Sequence, residues 1–552
     1  MEELSTFRSL IENSERLYSQ NTAFILKDGQ GQLYNVSYKS FLKDIDCFGE
    51  GLYSLSDKKD IKVAICADNC YEWCVTYFAV TSGKGVIVPV DKDLPSQQLK
   101  NLFMMSDTDI VVCDNKIYDK IIQFYGEDDV RPIVILISNG DTDACESFEK
   151  VRSKGEKAIL KKGITYLTED KDENSLSVLL FTSGTTGVSK GIMLSEKNIC
   201  SDIIGVCKKV SVTQSDVTLS VLPLHHTYEA IAFLMVIYSG GAISFCQNIR
   251  YLRQNLKLYR PTVLVTVPLM LEKLLRAIES EIADQGKRGK VRLLSVVSGF
   301  ISEEKKKKIF SAVHQLFGGR LKKIIVGAAP MNPETSQAFE LFGIPVIFGY
   351  GLTECSPIVI CNSDSDRKKG SIGKPLCSVQ VKIENPDSDG IGEICVKGPM
   401  VMLGYYNNKA ATDEALIDGF LHTGDLGYCD ENGYYYITGR SKNVMVTSTG
   451  KNIYPEEIEA YLNKYDIVEE VVVSQTDGEF ITAQIFPNIS AMEKKLKKRN
   501  PSETEIKVLL NEAVRSVNRK LPSYKRIKKL IVRNEGFAKT TTHKIKRYDQ
   551  QQ

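Results

Sequence analysis

From residue 61 onward, short, largely apolar β-rich runs alternate with stretches whose apolar residues recur at helical spacing. "IKVAIC", "GVIVPV" and "DIVVCD" are runs of the first kind, and "CYEWCVTYFAVTSG" and "SQQLKNLFMMS" fall between them. Runs without polar alternation suit strands buried on both faces, so the order predicts βαβαβ, a parallel sheet flanked by helices. The rhythm returns at 177–184, where "SVLLFTSG" predicts a strand running into a glycine loop. "SEKNICSDIIGVCKKV" follows, with Ile199, Ile203, Val206 and Val210 on one helical face. "PTVLVTVP", "LKKIIVGAAP" and "IPVIFGYG" add three buried strands, each closed by a glycine or proline turn. Ligands of such sheets bind beyond the carboxyl ends of the strands, where these loops gather.

After Ser371 the pattern shortens, and dense Gly, Asp and Asn turns in "VQVKIENPDSDGIGEICVKG" and "GYCDENGYYYITGR" predict hairpins of a small antiparallel barrel or sheet. From Ser441 the elements read as α+β: a helix at "YPEEIEAYL", a strand "EEVVVSQ", an amphipathic helix "EIKVLLNEAVRSVNRKL", a strand "IKKLIVR" and a basic tail. The fold class is therefore α/β, with a large N-terminal domain (1–440) of parallel α/β sheets plus a small antiparallel β-barrel. A smaller α+β C-terminal domain (441–552) follows.

Composition narrows the function. The 552 residues are enough for more than one domain, and a formal net charge of +2 argues against a general nucleic-acid binder. The 14 cysteines lack the paired spacing of a zinc site and read as reduced thiols. The first residues carry early acidic side chains and no signal-peptide core, which predicts a cytoplasmic protein. The apolar stretch 230–245 is broken by Ser-Gly-Gly and reads as a helix, a turn and a strand rather than a membrane span. The basic runs "KKLKKR" and "KRIKK" are solvated faces, contacts for CoA phosphates or an anionic membrane surface, so membrane contact is at most peripheral.

"FTSGTTGVSKG" (181–191) joins small hydroxyls, glycines and one lysine behind a buried strand. Backbone N–H groups in such a loop can turn toward an anion, which the N-terminus of a following helix also favours. Alone, its other reading is a flexible surface turn. A Walker loop is excluded, because Ser189 stands at its second glycine and Gly191 follows Lys190.

Together with "LPLHHTYE", "GAAPMNPE", "GYGLTECSP", "HTGDLGY", "GRSKNVMVTSTGKNIYPEEIE" and "KTTTHKIKR", in that order, the loop resembles the acyl-adenylate-forming (AMP-binding) superfamily. "GKNIYPEEIE" and "FGGRLKKIIVGAAPMNPE" look most like its long-chain fatty acid–CoA ligases. The resemblance implies ATP, magnesium and a carboxylic acid bound where a large domain meets a mobile C-terminal one. The carboxylate displaces pyrophosphate from ATP, and a thiol, usually that of coenzyme A, then displaces AMP.

The resemblance assigns roles by position. Thr182, Ser183, Gly184, Thr185, Thr186, Gly187 and Lys190 hold the β and γ phosphates. Gly327, Ala328 and Ala329 form a thin wall against the purine, Tyr350 stacks on adenine beside Gly351, Thr353 donates to the α-phosphate and Glu354 holds magnesium. Asp425 and Arg440 contact the ribose, Lys442 is the hinge, and Gly450 leaves room for pantetheine. Lys544 bridges the reacting oxygens, and His226 lines the path to the acyl pocket. Three positions depart from the family: Ser189 for proline, Gly439 for aspartate, which implies a looser segment, and His543 for glycine.

Glu229 without a downstream aspartate argues against an amino acid substrate, and the apolar residues after it suit an alkyl chain or a core helix equally. His225 and His226 lack a third ligand at metal-binding spacing. The expected function is activation of a medium- or long-chain fatty acid and its transfer to CoA. A separate acyl-carrier protein as acceptor and an inactive nucleotide-binding relative are the alternatives.

Overall fold

The computed structural model describes residues 4–58, 60–125, 131–138, 145–167, 171–183, 189–246, 248–284, 301–446, 452–476, 480–539, 545 and 547. The chain divides into two compact units, Met1–Gln380 with Val396–Leu421, and Val381–Cys395 with His422–Gln552.

The first unit holds two large sheets. In the eight-stranded one, Lys62–Cys66 lies between parallel Val86–Pro89 and Ile110–Cys113, and Ile133–Leu136 extends it beyond the latter. The nine-stranded sheet runs parallel through Ala242–Phe245, Val217–Ser220, Val263–Thr266, Lys323–Val326 and Val346–Gly351. Nearly all of these strand residues are buried, the reason their sequences show no polar alternation. The hairpin Thr22–Lys27/Leu33–Ser37 joins the nine-stranded sheet far from its place in the chain, with Phe24 opposite Ile243.

Two helices, Tyr71–Ser82 and Thr227–Tyr238, have no polar face because most of their residues are buried. Phe78 of one meets Phe233 of the other edge to face, with ring centroids 5.8 Å apart. The stretch 230–245 is helix, turn and strand (Ala242–Phe245), as its pattern predicts. No described helix is long and apolar enough to cross a membrane. The helices Tyr38–Tyr53 and Phe148–Lys162 cross at two glycines: a Cβ on Gly155 would stand 1.8 Å from the Cys47 carbonyl oxygen, and one on Gly51 2.0 Å from that of Val151.

The glycine loop departs from the expected strand-to-helix turn. Leu176–Ser183 pairs antiparallel with Ser189–Ser195, Thr182 opposite Lys190, so the chain on either side of the loop is strand. The next helix, Glu196–Cys207, starts only after the second strand, where Ser195 and Asn198 form a capping box. Its N-terminus faces the buried Glu196 carboxylate, which accepts from the Phe7 amide and pairs with Lys171. The first turn of this helix therefore carries a carboxylate of its own.

The second unit carries antiparallel strands, among them Tyr435–Arg440 against the end of Phe420–Cys429. It also holds a three-stranded sheet in which Phe480–Pro487 runs antiparallel to Val468–Thr476 and parallel to Lys529–Val532. Phe480–Pro487 is absent from the sequence reading. Helices Pro455–Leu462 and Glu503–Asn518 bury Ile458, Leu462, Leu510, Val514 and Val517 against this sheet. All 14 cysteines are free thiols.

Candidate active site

In the first unit the strand Val346–Gly351 delivers Tyr350, Gly351, Thr353 and Glu354 to its carboxyl end. Gly351 is required there, since a Cβ would lie 1.6 Å from the Pro357 carbonyl oxygen. Tyr350 is buried in register with Ile360. Thr353 and Glu354, half-buried, form a single 3-10 turn closed by left-handed Ser356 (φ 71°), whose hydroxyl donates to the Met400 carbonyl at 2.9 Å.

Glu354 is held from a residue that sequence reasoning missed. The Tyr405 hydroxyl donates to Glu354 Oε1 at 3.1 Å, and Lys190 Nζ sits 4.7 Å from the centre of the Tyr405 ring. Tyr405 reaches this place because Gly404–Tyr405 pairs with strand Ser189–Ser195, Tyr405 opposite Ile192. Burial, and next the charge of Glu354, push the Tyr405 hydroxyl far above its ordinary pKa, so it stays a donor. Lys190 and Glu354, assigned to phosphate and magnesium, are thus brought together through one aromatic ring. The "GYY" at 404–406 was the available signal, but nothing in its spacing ties it to the loop.

Gly327 packs under the Tyr228 ring and the Gly349 carbonyl, leaving 3.2 Å and 3.1 Å for a Cβ. Ala328 is left-handed at φ 68°, a conformation costing a non-glycine residue about 1 kcal/mol. Such local strain concentrates at ligand sites. Ala329 is half-buried beside it.

His226 is the N-cap of helix Thr227–Tyr238, and its ring lies 4.2 Å from that of His225. Burial lowers the His225 pKa to about 4, so this imidazole is neutral at ordinary pH. His225, Tyr77, Leu180, Leu224, Leu234 and Ser356 line an apolar cavity of about 10 Å³ beside the Glu354 turn, room for roughly one water. One turn along the same helix, Glu229 is buried beside the Ser220 hydroxyl and the amides of Val221 and Leu222, and its pKa rises to about 8. Burial is the main cause, and Oε2 has no hydrogen-bond partner.

In the second unit Asp425 and Arg440 face each other across paired strands, with Nε 2.8 Å from Oδ1. Asp425 is buried, while half of the Arg440 side chain is exposed. The preceding turn is fixed on both sides, since Gly424 N–H donates to Glu393 Oε1 at 2.8 Å and Thr423 Oγ1 donates to the Ile394 carbonyl at 2.7 Å. Gly439 is explained by packing rather than looseness. A Cβ there would stand 2.8 Å from Glu456 Oε2, so an aspartate would set two carboxylates together. Lys442 lies exposed in the 3-10 turn Ser441–Asn443, and the Asn443 amide donates to Glu456 at 2.6 Å.

Gly184, Thr185, Thr186, Gly187, Gly450 and Lys544 lie outside the described residues, as does His543, and of Ser183 and Ser189 only the backbone is described. Around Lys544, Lys539 bridges to Ile545 and pairs with Glu470, and Arg547 pairs with buried Glu459.

Comparison with known proteins adds to this geometry. Residues 11–406 match the model of the AMP-binding enzymes, and 442–551 that of the AMP-binding enzyme C-terminal domain. A chloroplastic long-chain-fatty-acid–[acyl-carrier-protein] ligase of Arabidopsis thaliana is 28% identical over 527 residues, covering 82% of this chain and 72% of the relative. Long-chain-fatty-acid–CoA ligase 5 of Rattus norvegicus is 30% identical over 484 residues, covering 82% and 71%. The crystal structure of an anthranilate CoA ligase in complex with anthranoyl-AMP superposes with a TM-score of 0.79 at 19% identity, over 100% of this chain and 97% of that one. At that identity the superposition speaks for the fold.

Proposed function

From the premise that this chain belongs to the AMP-binding enzyme family, and so is an acyl-adenylate-forming ligase, we propose that its acid is a medium- or long-chain fatty acid and its thiol acceptor coenzyme A. The observation that carries this reading is the apolar cavity between the Glu354 turn and the largely apolar helix Thr227–Tyr238, where His225 is neutral and the helix's one carboxyl, Glu229, is not among the lining residues. The cavity at about 10 Å³ is too small for a chain, so entry requires side chains such as Tyr77 or Leu234 to turn aside.

The residues divide the work. A carboxylate oxygen of the acid attacks the α-phosphorus, and the bond to the β-phosphate bridging oxygen breaks as pyrophosphate leaves. Lys190 and the loop hydroxyls, Thr182, Ser183, Thr185 and Thr186, with the backbone of Gly184 and Gly187, take up the leaving charge. Thr353 donates to the α-phosphate. Glu354, an oxygen ligand oriented by Tyr405, fits magnesium, which when bound supplies positive charge to the departing phosphates. Tyr350, Gly327, Ala328 and Ala329 seat the purine, and Asp425 with Arg440 seats the ribose. Lys544 neutralises the oxygens being joined, and His226 borders the acyl path. In the second half-reaction the acceptor thiol gives up its proton and attacks the acyl carbon, and AMP leaves. Lys442 is the hinge between the domains 1–440 and 441–552, Gly450 admits the pantetheine arm, and the enzyme is placed in the cytoplasm with at most peripheral membrane contact.

A second reading, transfer to an acyl-carrier protein, is supported by the carrier-protein ligase among the relatives. One experiment separates them: incubate the protein with ATP, magnesium and a panel of free acids, measure pyrophosphate, then offer CoA and holo-carrier protein separately. Pyrophosphate release with fatty acids and acyl-CoA as product is expected. Acyl-carrier protein alone as product overturns the acceptor, and release only with aromatic or short acids overturns the substrate.

A further inference from the structure

Beside the turn that leads into Asp425, the second unit gathers three metal-ligating side chains of different chemistry. Glu393 and Cys395 project from the same face of strand Gly392–Lys397, two residues apart, and His422 meets them from Phe420–Cys429. His422 Nδ1 lies 3.0 Å from Glu393 Oε2 and 3.6 Å from Cys395 Sγ, and the three ligand atoms all fall within 4.8 Å of one another. Cys395 is buried, whereas Glu393 and His422 are partly exposed and leave a way in from solvent.

These spacings match a tetrahedral ion of the zinc class. With metal–sulfur and metal–nitrogen bonds of about 2.3 and 2.0 Å, tetrahedral angles put sulfur and nitrogen roughly 3.5 Å apart and nitrogen and oxygen roughly 3.3 Å apart. A hydrogen bond between His422 and Glu393 explains the first contact. It gives no reason for a thiol to share the same ring nitrogen.

We propose that Glu393, Cys395 and His422 form a binding site for a thiophilic divalent cation, zinc being the type, with water as fourth ligand. The thiol releases its proton on binding. Oxygen-only magnesium is a poor match for this donor set, so the site is separate from Glu354. Glu393 can serve the cation through Oε2 while Oε1 keeps the Gly424 amide, the turn that leads into Asp425. The inference does not depend on the adenylation reading.

The test uses cobalt(II) on the full chain with the exposed Cys377 and Cys429 changed to serine. A thiolate-to-cobalt charge-transfer band and the strong visible bands of tetrahedral cobalt are expected, both reversed by one equivalent of zinc. Cys395→Ser should abolish the charge-transfer band, and His422→Ala should weaken binding roughly tenfold or more, as loss of a ligand or its support does. Competition between the unsubstituted protein and a chromophoric zinc chelator gives the stoichiometry without any variant. No charge-transfer band and no zinc taken from the chelator, or a band that survives Cys395→Ser, would overturn the proposal.

Discussion

At the scale of single residues, burial sets which groups carry charge. The Glu229 carboxyl is protonated in the folded chain up to about pH 8, whereas in the unfolded chain it ionises near 4.5. The folded state therefore holds the extra proton between these values, and its stability falls as pH rises through that window. Glu459, raised to about 7, acts with the same sign below 7, and His225, lowered to about 4, acts oppositely below 6.5. From pH 7 to 8, as Glu229 itself begins to ionise, it contributes a loss of about 1 kcal/mol. Denaturant melts at pH 7 and 8 should show that loss, and Glu229→Gln should flatten it. A second residue-scale prediction concerns Tyr405→Phe. Losing the hydroxyl that orients Glu354 costs about 1.5 kcal/mol, a roughly tenfold fall in pyrophosphate-forming kcat/KM, with stability little changed. Steady-state kinetics at varied magnesium checks it. Equal kinetics for wild type and variant would remove Tyr405 from the site.

At the scale of elements, close packing decides more than propensity. Helices Tyr38–Tyr53 and Phe148–Lys162 cross with the Gly155 Cα directly under the Cys47 carbonyl. Gly155→Ala must push the helices apart and should destabilise the protein by about 1–3 kcal/mol despite alanine's better helix propensity. Thermal unfolding measures this, and an unchanged midpoint would mean that the pair has slack. The same scale shows what was legible in the sequence. Strands such as Lys62–Cys66 and Val263–Thr266 were readable because burial on both faces leaves a run of apolar residues with a polar one only at an end. The strand after the glycine loop, Ser189–Ser195, was not, because its lysine, glycine and serines read as loop and its pairing partner is fixed only in the folded sheet. Thr22–Lys27 was missed for a related reason: its parallel neighbour, Ala242–Phe245, is remote in sequence. Motif order pointed to Asp425 and Arg440 as ribose ligands, and the fold places them opposite each other on paired strands. Spacing carried no sign of Tyr405 beneath Lys190 or of His422 beside Cys395, since both contacts are made across strands.

At the scale of the whole molecule, the tail carries the residue expected to finish the chemistry. One of its described anchors is Arg547, paired with buried Glu459, whose other oxygen accepts from the Val473 amide at 2.6 Å. Arg547→Ala strands that carboxylate and should cost about 3 kcal/mol, while Arg547→Ala with Glu459→Gln should recover much of it. A double-mutant cycle by chemical denaturation reads the difference, and additive losses would show that the pair does not couple. The central claim is that the acid is joined to AMP with Lys544 neutralising the reacting oxygens. Fatty-acid-dependent exchange of labelled pyrophosphate into ATP measures that step alone, before any thiol is present. The account predicts ready exchange with a long-chain acid in the wild type and a fall of about 100-fold or more in Lys544→Ala, with stability unchanged. Exchange at the wild-type rate in Lys544→Ala, or none with any acid in the folded wild type, would contradict it.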